Sequence, residues 1–370
     1  GYPGGTVRYM TSYGVKETKN VTNPTRIKVR EKKLEIMEEA MNSSEELELK
    51  YSSKHSGTSN YYKYSIGQNE GLRRLDVIEE RQNLEDRFRE WVGQRRSREK
   101  KYGGTLQMIK EAYEKRKEYY KTFLYINEAI FRGAEIIPFT ARFQGLYNIL
   151  EAHPDSTEDI QYEINNLRPR LDDFYKNYHA PTDKKLLSAL FKIFDENVKD
   201  EFKPSVFERI EELYDGDFNK YAEVVFENSV FTSMNKLNSF LENPKFEVLD
   251  NDPAYTAMSS LQDKLMEIRH KYRSYSDQLD KGQRLFMQGL REMQEDKRFY
   301  PDANFTMRLT YGDVNDYYPR DAVHYDYYTT LEGVMQKEDP TNDEFIVEDK
   351  LKKLYKNKDY GPYGEDGIMN

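Results

Sequence analysis

The sequence predicts a mainly α protein in which a long helical block sits between two short β segments. Three observations predict it. No proline occurs between Pro24 and Pro138 or between Pro253 and Pro301, so helices there can run unbroken. Within those windows apolar residues recur at helical three- and four-residue spacing. At the two ends, β-branched and aromatic residues instead cluster near glycines or alternate with polar ones.

Taken in order, TVRYMTSYGV at 6–15 reads as a strand bounded by glycines. Asn23-Pro24 reads as a helix N-cap followed by proline at the first helical position. The charged run behind it has Ile27, Leu34, Ile36 and Met37 as its apolar points. KHSGTSN reads as a loose stretch, and a second long helix is expected from about Tyr61 to Val92, with Leu72, Leu75 and Ile78 on one face. Gly103-Gly104-Thr105 is a break and a cap, and Ile109, Ala112, Tyr113, Phe123 and Ile130 mark the next helix, which Gly133 ends. Shorter helices fill the middle. Leu186, Leu187, Leu190 and Phe194 form one stripe, Ser205 and Glu208 have capping-box spacing, and Asp215-Gly216 is a stop. A third long helix is expected from Pro253 to about Arg298. Phe305, Met307, Leu309 and Tyr311 then alternate with polar residues, the pattern of a half-buried strand, and a charged helical stretch follows around Glu348–Tyr355.

No fixed repeat of solenoid length and no sustained heptad is present. The β segments are too small to make a sheet domain. The economical architecture is a helical block inserted into a β domain, most of which lies outside this sequence. The expected divisions are a β segment at 1–22, a helical domain at 23–300 and a return into the β domain at 301–370.

Composition narrows the function. The 370 residues carry a net charge of -9, which argues against nucleic acid as a general partner. Mean hydropathy is -0.96, and no stretch approaches the ~20 apolar residues of a membrane span. Without cysteine there are no disulfides, thiolate zinc sites or thiol nucleophiles. The five histidines are widely separated, so no metal and no cofactor is expected.

Individual motifs have plain readings as well as functional ones. Glu38-Glu39 and Glu45-Glu46 fit solvated helix faces better than metal carboxylates. The tyrosine pairs at 61–62, 119–120, 317–318 and 327–328 fit packing with the hydroxyl at the rim. His324, among Asp321, Tyr325 and Asp326, is the best lone candidate for a catalytic base, but no serine in a nucleophile-elbow context accompanies it. Glu267 and His270 have the spacing of a di-metal helix bundle, yet no second such pair exists. Gly1–Arg8 lacks the Lys-Ser/Thr ending of a phosphate loop and reads as a tight turn.

Several blocks together resemble one family. GYPGGTVRYMTSYGV at 1–15, SNYYKYSIGQNEGLRRL at 59–75, YPDANFTMRLTYGDV at 300–314, YPRDAVHYDYYTTLEGVMQKED at 318–339 and the closing LYKNKDYGPYGEDGIMN are similar to segments of the bacterial dipeptidyl-peptidase 7 and 11 family of serine exopeptidases. The resemblance spans all of this sequence and about the middle half of a family member. It implies a large helical cap domain inserted in a chymotrypsin-like double β-barrel, incomplete here, with the Ser-His-Asp triad outside this sequence and no catalytic residue within it. Gly5, where the family often has a basic residue, departs from the pattern.

The resemblance further implies a peptide substrate with a free amino terminus, contacted through its ammonium by Asn60. A side-chain amide oxygen can accept a charge-assisted hydrogen bond from that group. By the residues alone, Asn60 beside Gly57-Thr58-Ser59 reads instead as a helix cap. The preference for acidic or hydrophobic residues before the scissile bond would be set mainly in the barrel. The implied location is the periplasm or cell surface of a Gram-negative bacterium. Strand edges at Thr6–Val15 and Phe305–Tyr311 could pair with each other or recruit a second copy as a homodimer. The rival reading from composition is a non-enzymatic helical protein-interaction domain with a tyrosine-rich tail.

Overall fold

A computed structural model of the protein describes residues 1–4, 9–300, 306–365 and 368–369. The chain divides into two units, Tyr9–Phe299 and Gly1–Arg8 with Tyr300–Asn370.

In the first unit, the segment expected to continue a β strand is helical. Helix α1 (Ser12–Glu17) runs through a π turn (Thr18–Thr22) into α2 (Asn23–Met41). Two interactions override the local strand propensity. The backbone N–H and hydroxyl of Ser12 both donate to the Glu85 carboxylate, at 2.6 and 2.9 Å, so a distant side chain caps α1. The π turn lets the helix pass Pro24, which has no N–H and would press on the carbonyl four residues back. Asn23 donates instead to Thr18, five residues back. Asn23 is therefore not a cap. Its buried amide donates to Gln68 and Asn69 of α3 (Glu45–Arg74). The β segment expected at 1–22 is corrected over residues 12–22, while Thr6, Val7 and Arg8 of the expected strand, and Gly5, lie outside the described residues.

Helices α2 and α3 form an antiparallel hairpin, in which Glu31 meets Tyr62 and Glu38 meets His55. The KHSGTSN stretch is helical too, contrary to expectation. Thr58 turns its hydroxyl back to the Lys54 carbonyl, and its side of the helix packs while the Gly57 side faces open space. The break comes later, at Asp76, whose φ of 45° separates α3 from α4 (Val77–Gly93).

Next come α5 (Arg96–Tyr102), α6 (Thr105–Tyr125) and a second π turn (Ile126–Phe131). Helices α7 (Ile136–Thr140), α8 (Gln144–Ala152), α9 (Thr157–Lys176) and α10 (Ala180–Asn197) lead into α11 (Ser205–Tyr214), α12 (Phe218–Asn228), α13 (Met234–Glu242) and α14 (Phe246–Asp250). Ser205 does not form a capping box; its hydroxyl lies against that of Ser260, which accepts the Val206 N–H. The final helix, α15 (Pro253–Met293), runs antiparallel to α6, where Gln278 reaches the Met108 carbonyl and Tyr272 accepts from Arg116.

A large core surrounds the second π turn and includes Ile126, Leu187, Phe194, Phe231 and Leu261. A smaller one joins Phe88, Ile109, Leu279 and Phe286. Close approach explains two glycines of α15, since a Cβ on Gly282 or Gly289 would lie 2.6 Å from Ile109 or 2.5 Å from Phe88.

In the second unit, β1 (Tyr2–Pro3) pairs antiparallel with β2 (Leu309–Thr310). A hairpin of β3 (Tyr317–Arg320) and β4 (Val323–Tyr325) follows, then α16 (Leu331–Gln336), α17 (Asp349–Asn357) and the pair β5 (Gly364–Glu365) and β6 (Ile368–Met369). The period-two strand is reduced to two residues. Met307, Leu309 and Tyr311 are exposed because no layer covers that face among the described residues; Phe305 lies outside them.

One buried carboxyl gives a pH test. Asp183 of α10 accepts the N–H groups of Glu135 and Ile136 at 2.5 and 2.9 Å, ordering the start of α7. Burial, with the nearby Glu135 charge, pushes its pKa up to about 7 from 3.8. Between those values the folded state binds more protons than the unfolded one, so this group's stabilisation falls as pH rises. Thermal midpoints followed from about pH 4 to about pH 8 should decline more steeply for the parent than for Asp183→Asn. Parallel profiles would show that Asp183 is ionised throughout.

Candidate functional site

Asn60 lies near the middle of α3, exposed, on the side of the helix turned away from α2. It is not a cap: helical residues run for several turns on either side. Among the described residues its amide makes no hydrogen bond, so oxygen and NH2 are both open to a ligand. Tyr64, one turn on, is exposed, and Gly57, Gly67 and Gly71 on the same face leave open space where a Cβ would stand. Each exposed mid-helix glycine costs about 1 kcal/mol relative to alanine. In return it leaves bare backbone beside the Asn60 amide.

The position of this face is fixed from behind. Arg30 of α2 donates through Nε to Glu128 Oε2 at 2.9 Å, its Nη2 stands 2.7 Å from the same oxygen, and Arg26 Nε lies 3.3 Å from Oε1. Glu128 is 4% exposed, within the second π turn. Tyr61, the neighbour of Asn60, lies under the Arg30 guanidinium at 5.2 Å. Tyr62 donates to Glu31 at 3.2 Å, and burial and the Glu31 charge raise its pKa. Ser65 returns its hydroxyl to the Tyr61 carbonyl. Of the two tyrosines, Tyr61 is half-exposed and Tyr62 turns toward α2.

The other candidates take their plain readings. His324 sits on the β3–β4 hairpin, stacked on Tyr318, with Nε2 2.5 Å from Asp316 Oδ2. Glu38 pairs with His55, Glu39 with Lys185 and Glu46 with Lys50. Glu267 is held between Lys264 and Lys271, which lower its pKa to about 2, so the Glu267–His270 spacing serves surface ion pairs. Tyr119 packs on Phe202 and Tyr120 meets Thr22. Among the described residues no group of three or more His, Cys, Asp or Glu could hold a metal ion, and no helix is long and apolar enough to cross a membrane. Sequence reasoning missed Glu128. The available signal was a lone acid in the apolar run LYINEAIF, with Arg26 and Arg30 one turn apart elsewhere.

Known proteins resemble the whole chain. The family model described as Peptidase S46 matches residues 1–369. A dipeptidyl-peptidase 7 of Porphyromonas gingivalis is 36% identical, over 100% of this chain and 51% of the relative. An Asp/Glu-specific dipeptidyl-peptidase of the same organism is 32% identical, over 99% and 50%. Thus the chain spans about half the length of the curated relatives it matches. The crystal structure of Porphyromonas endodontalis DPP11 in complex with the dipeptide Arg-Glu matches with a TM-score of 0.87 at 28% identity, covering 100% of this chain and 52% of that one.

Removing the carboxylate behind the site should be costly. Glu128→Ala leaves Arg30 buried without its partner, and the expected loss is about 3 kcal/mol of unfolding free energy. Denaturant unfolding measures it; a loss below about 1 kcal/mol would mean that solvent or another group takes over the guanidinium.

Proposed function

Because the chain belongs to the peptidase S46 family, we propose that it is part of a serine dipeptidyl-peptidase that releases dipeptides from the free amino terminus of peptides. In this reading the helical unit is a cap inserted in a chymotrypsin-like barrel, and it contributes substrate gating and amino-terminus capture rather than bond chemistry. The triad lies in the portions of the relatives that this chain does not cover. The complete enzyme acts in the periplasm or at the cell surface.

The exposed, unpaired amide of Asn60 on a braced helix supports this reading most directly. Its Oδ1 can accept from a substrate ammonium, and no side chain of its own fold competes for it among the described residues. A charge-assisted bond of this kind contributes about 1.5–3 kcal/mol. A blocked amino terminus would leave the amide desolvated and unpaired, which is how a site built for a polar group rejects an analogue lacking it. Closure of the cap over a bound peptide would exclude water from the reaction. The bare backbone at Gly57 and Gly67 would let an extended peptide run close to α3.

Two measurements test the proposal. In the complete enzyme, Asn60→Ala should lower kcat/KM for free-amino-terminal peptides about tenfold to a hundredfold while leaving the fold intact, since its side chain is exposed. Unchanged kcat/KM would remove Asn60 from the site. The 370-residue chain alone should hydrolyse no dipeptidyl substrate. Turnover by it, abolished by a serine-directed inhibitor, would put the nucleophile within this sequence.

A further inference from the structure

A cleft of about 360 Å³ lies behind the α2–α3 hairpin, within the helical unit, and the reading above does not use it. This is the size of a small-ligand pocket. Its polar lining is strongly one-signed: Lys33, Lys54, Arg132 and Arg142 against a single carboxylate, Glu135. Its apolar lining includes Phe139 and Phe174, stacked at 3.7 Å, and Leu186.

The cations are not equally engaged. Lys54 is taken up by Glu135, at 2.7 and 2.8 Å, and by the Asn177 carbonyl. Arg132 stands 3.7 Å from Glu128, an acid already committed to Arg30. Lys33 makes one hydrogen bond among the described residues, to the Arg132 carbonyl at 2.5 Å, which leaves two of its three N–H donors without a protein acceptor. Crowding by protein desolvates that ammonium and lowers its pKa; Glu135 and Asp183 pull the other way, Arg30 and Lys54 add to the lowering. Arg142 is exposed and forms no ion pair among the described residues. As a mere helix-end cap Lys33 would need one donor and no surplus of cations around it.

We propose that this cleft binds a carboxylate carried on an apolar body, with Lys33 and Arg142 receiving the carboxylate and the Phe139–Phe174 stack receiving the apolar part. A peptide with a free hydrophobic carboxyl end and a fatty acid share that chemistry. The surplus of unpaired donors calls for an anion, and the aromatic pair calls for a hydrophobic group attached to it.

Isothermal titration of the full chain tests this with four probes: octanoate, octanol, the dipeptide Leu-Leu and Leu-Leu amide. One of the two carboxylates should bind with one-to-one stoichiometry, at least tenfold tighter than its neutral counterpart, and which one does so identifies the source. Lys33→Met and Arg142→Gln should each weaken that binding at least tenfold. Arg142→Gln is the safeguard, because an exposed side chain without an ion pair can be changed without unfolding the protein. The proposal is overturned if neither carboxylate saturates at millimolar concentration, if octanol or the amide binds as well as its acid, or if both variants bind like the parent.

Discussion

The carboxylate of Glu128, enclosed between Arg30 and Arg26, fixes the geometry on which the candidate site depends. Once buried, neither ion can be left alone, because an unpaired charge in a protein interior costs several kcal/mol. The pair therefore sets both the rotation of α2 and its height against the π turn at 126–131. Helix α3 inherits that placement through Asn23, Glu31 and Glu38, and through the Arg30 guanidinium lying over Tyr61. Asn60 is thus located by contacts it does not itself make.

Helix α3 serves two surfaces at once. Tyr51 and Lys54 line the cationic cleft, whereas Asn60 and Tyr64 look the other way. At 3.6 residues per turn, Asn60 lies about 180° around the helix from Tyr51 and about 120° from Lys54. A ligand in the cleft would touch the helix that presents Asn60, so the two surfaces share one rigid element rather than a chain of loops.

Much of the helical class was legible in the sequence, because it depends on proline placement and apolar spacing, both local. Pro253 does open a long helix, with Asp252 accepting the Ala254 and Tyr255 N–H groups as its cap. What escaped was decided by distant partners. Asn23-Pro24 has every mark of a helix start, yet a π turn carries the helix through it. Residues 12–17 read as strand until Glu85, far along the chain, caps them. The alternation over 307–311 promises a half-buried strand, yet only Leu309–Thr310 pair and the apolar side chains stay exposed, because a pattern cannot say whether a covering layer exists. Resemblance alone points to Asn60; its exposure, and the lack of a hydrogen-bond partner among the described residues, are properties of the fold.

Helix α15 joins two hydrophobic clusters, contributing Leu261 and Ile268 to one and Leu279 and Phe286 to the other. Its 41 residues make a rod of about 60 Å. Fraying of that rod at one nucleus removes backbone support from the other, so the stabilities of the two are coupled through the helix between them.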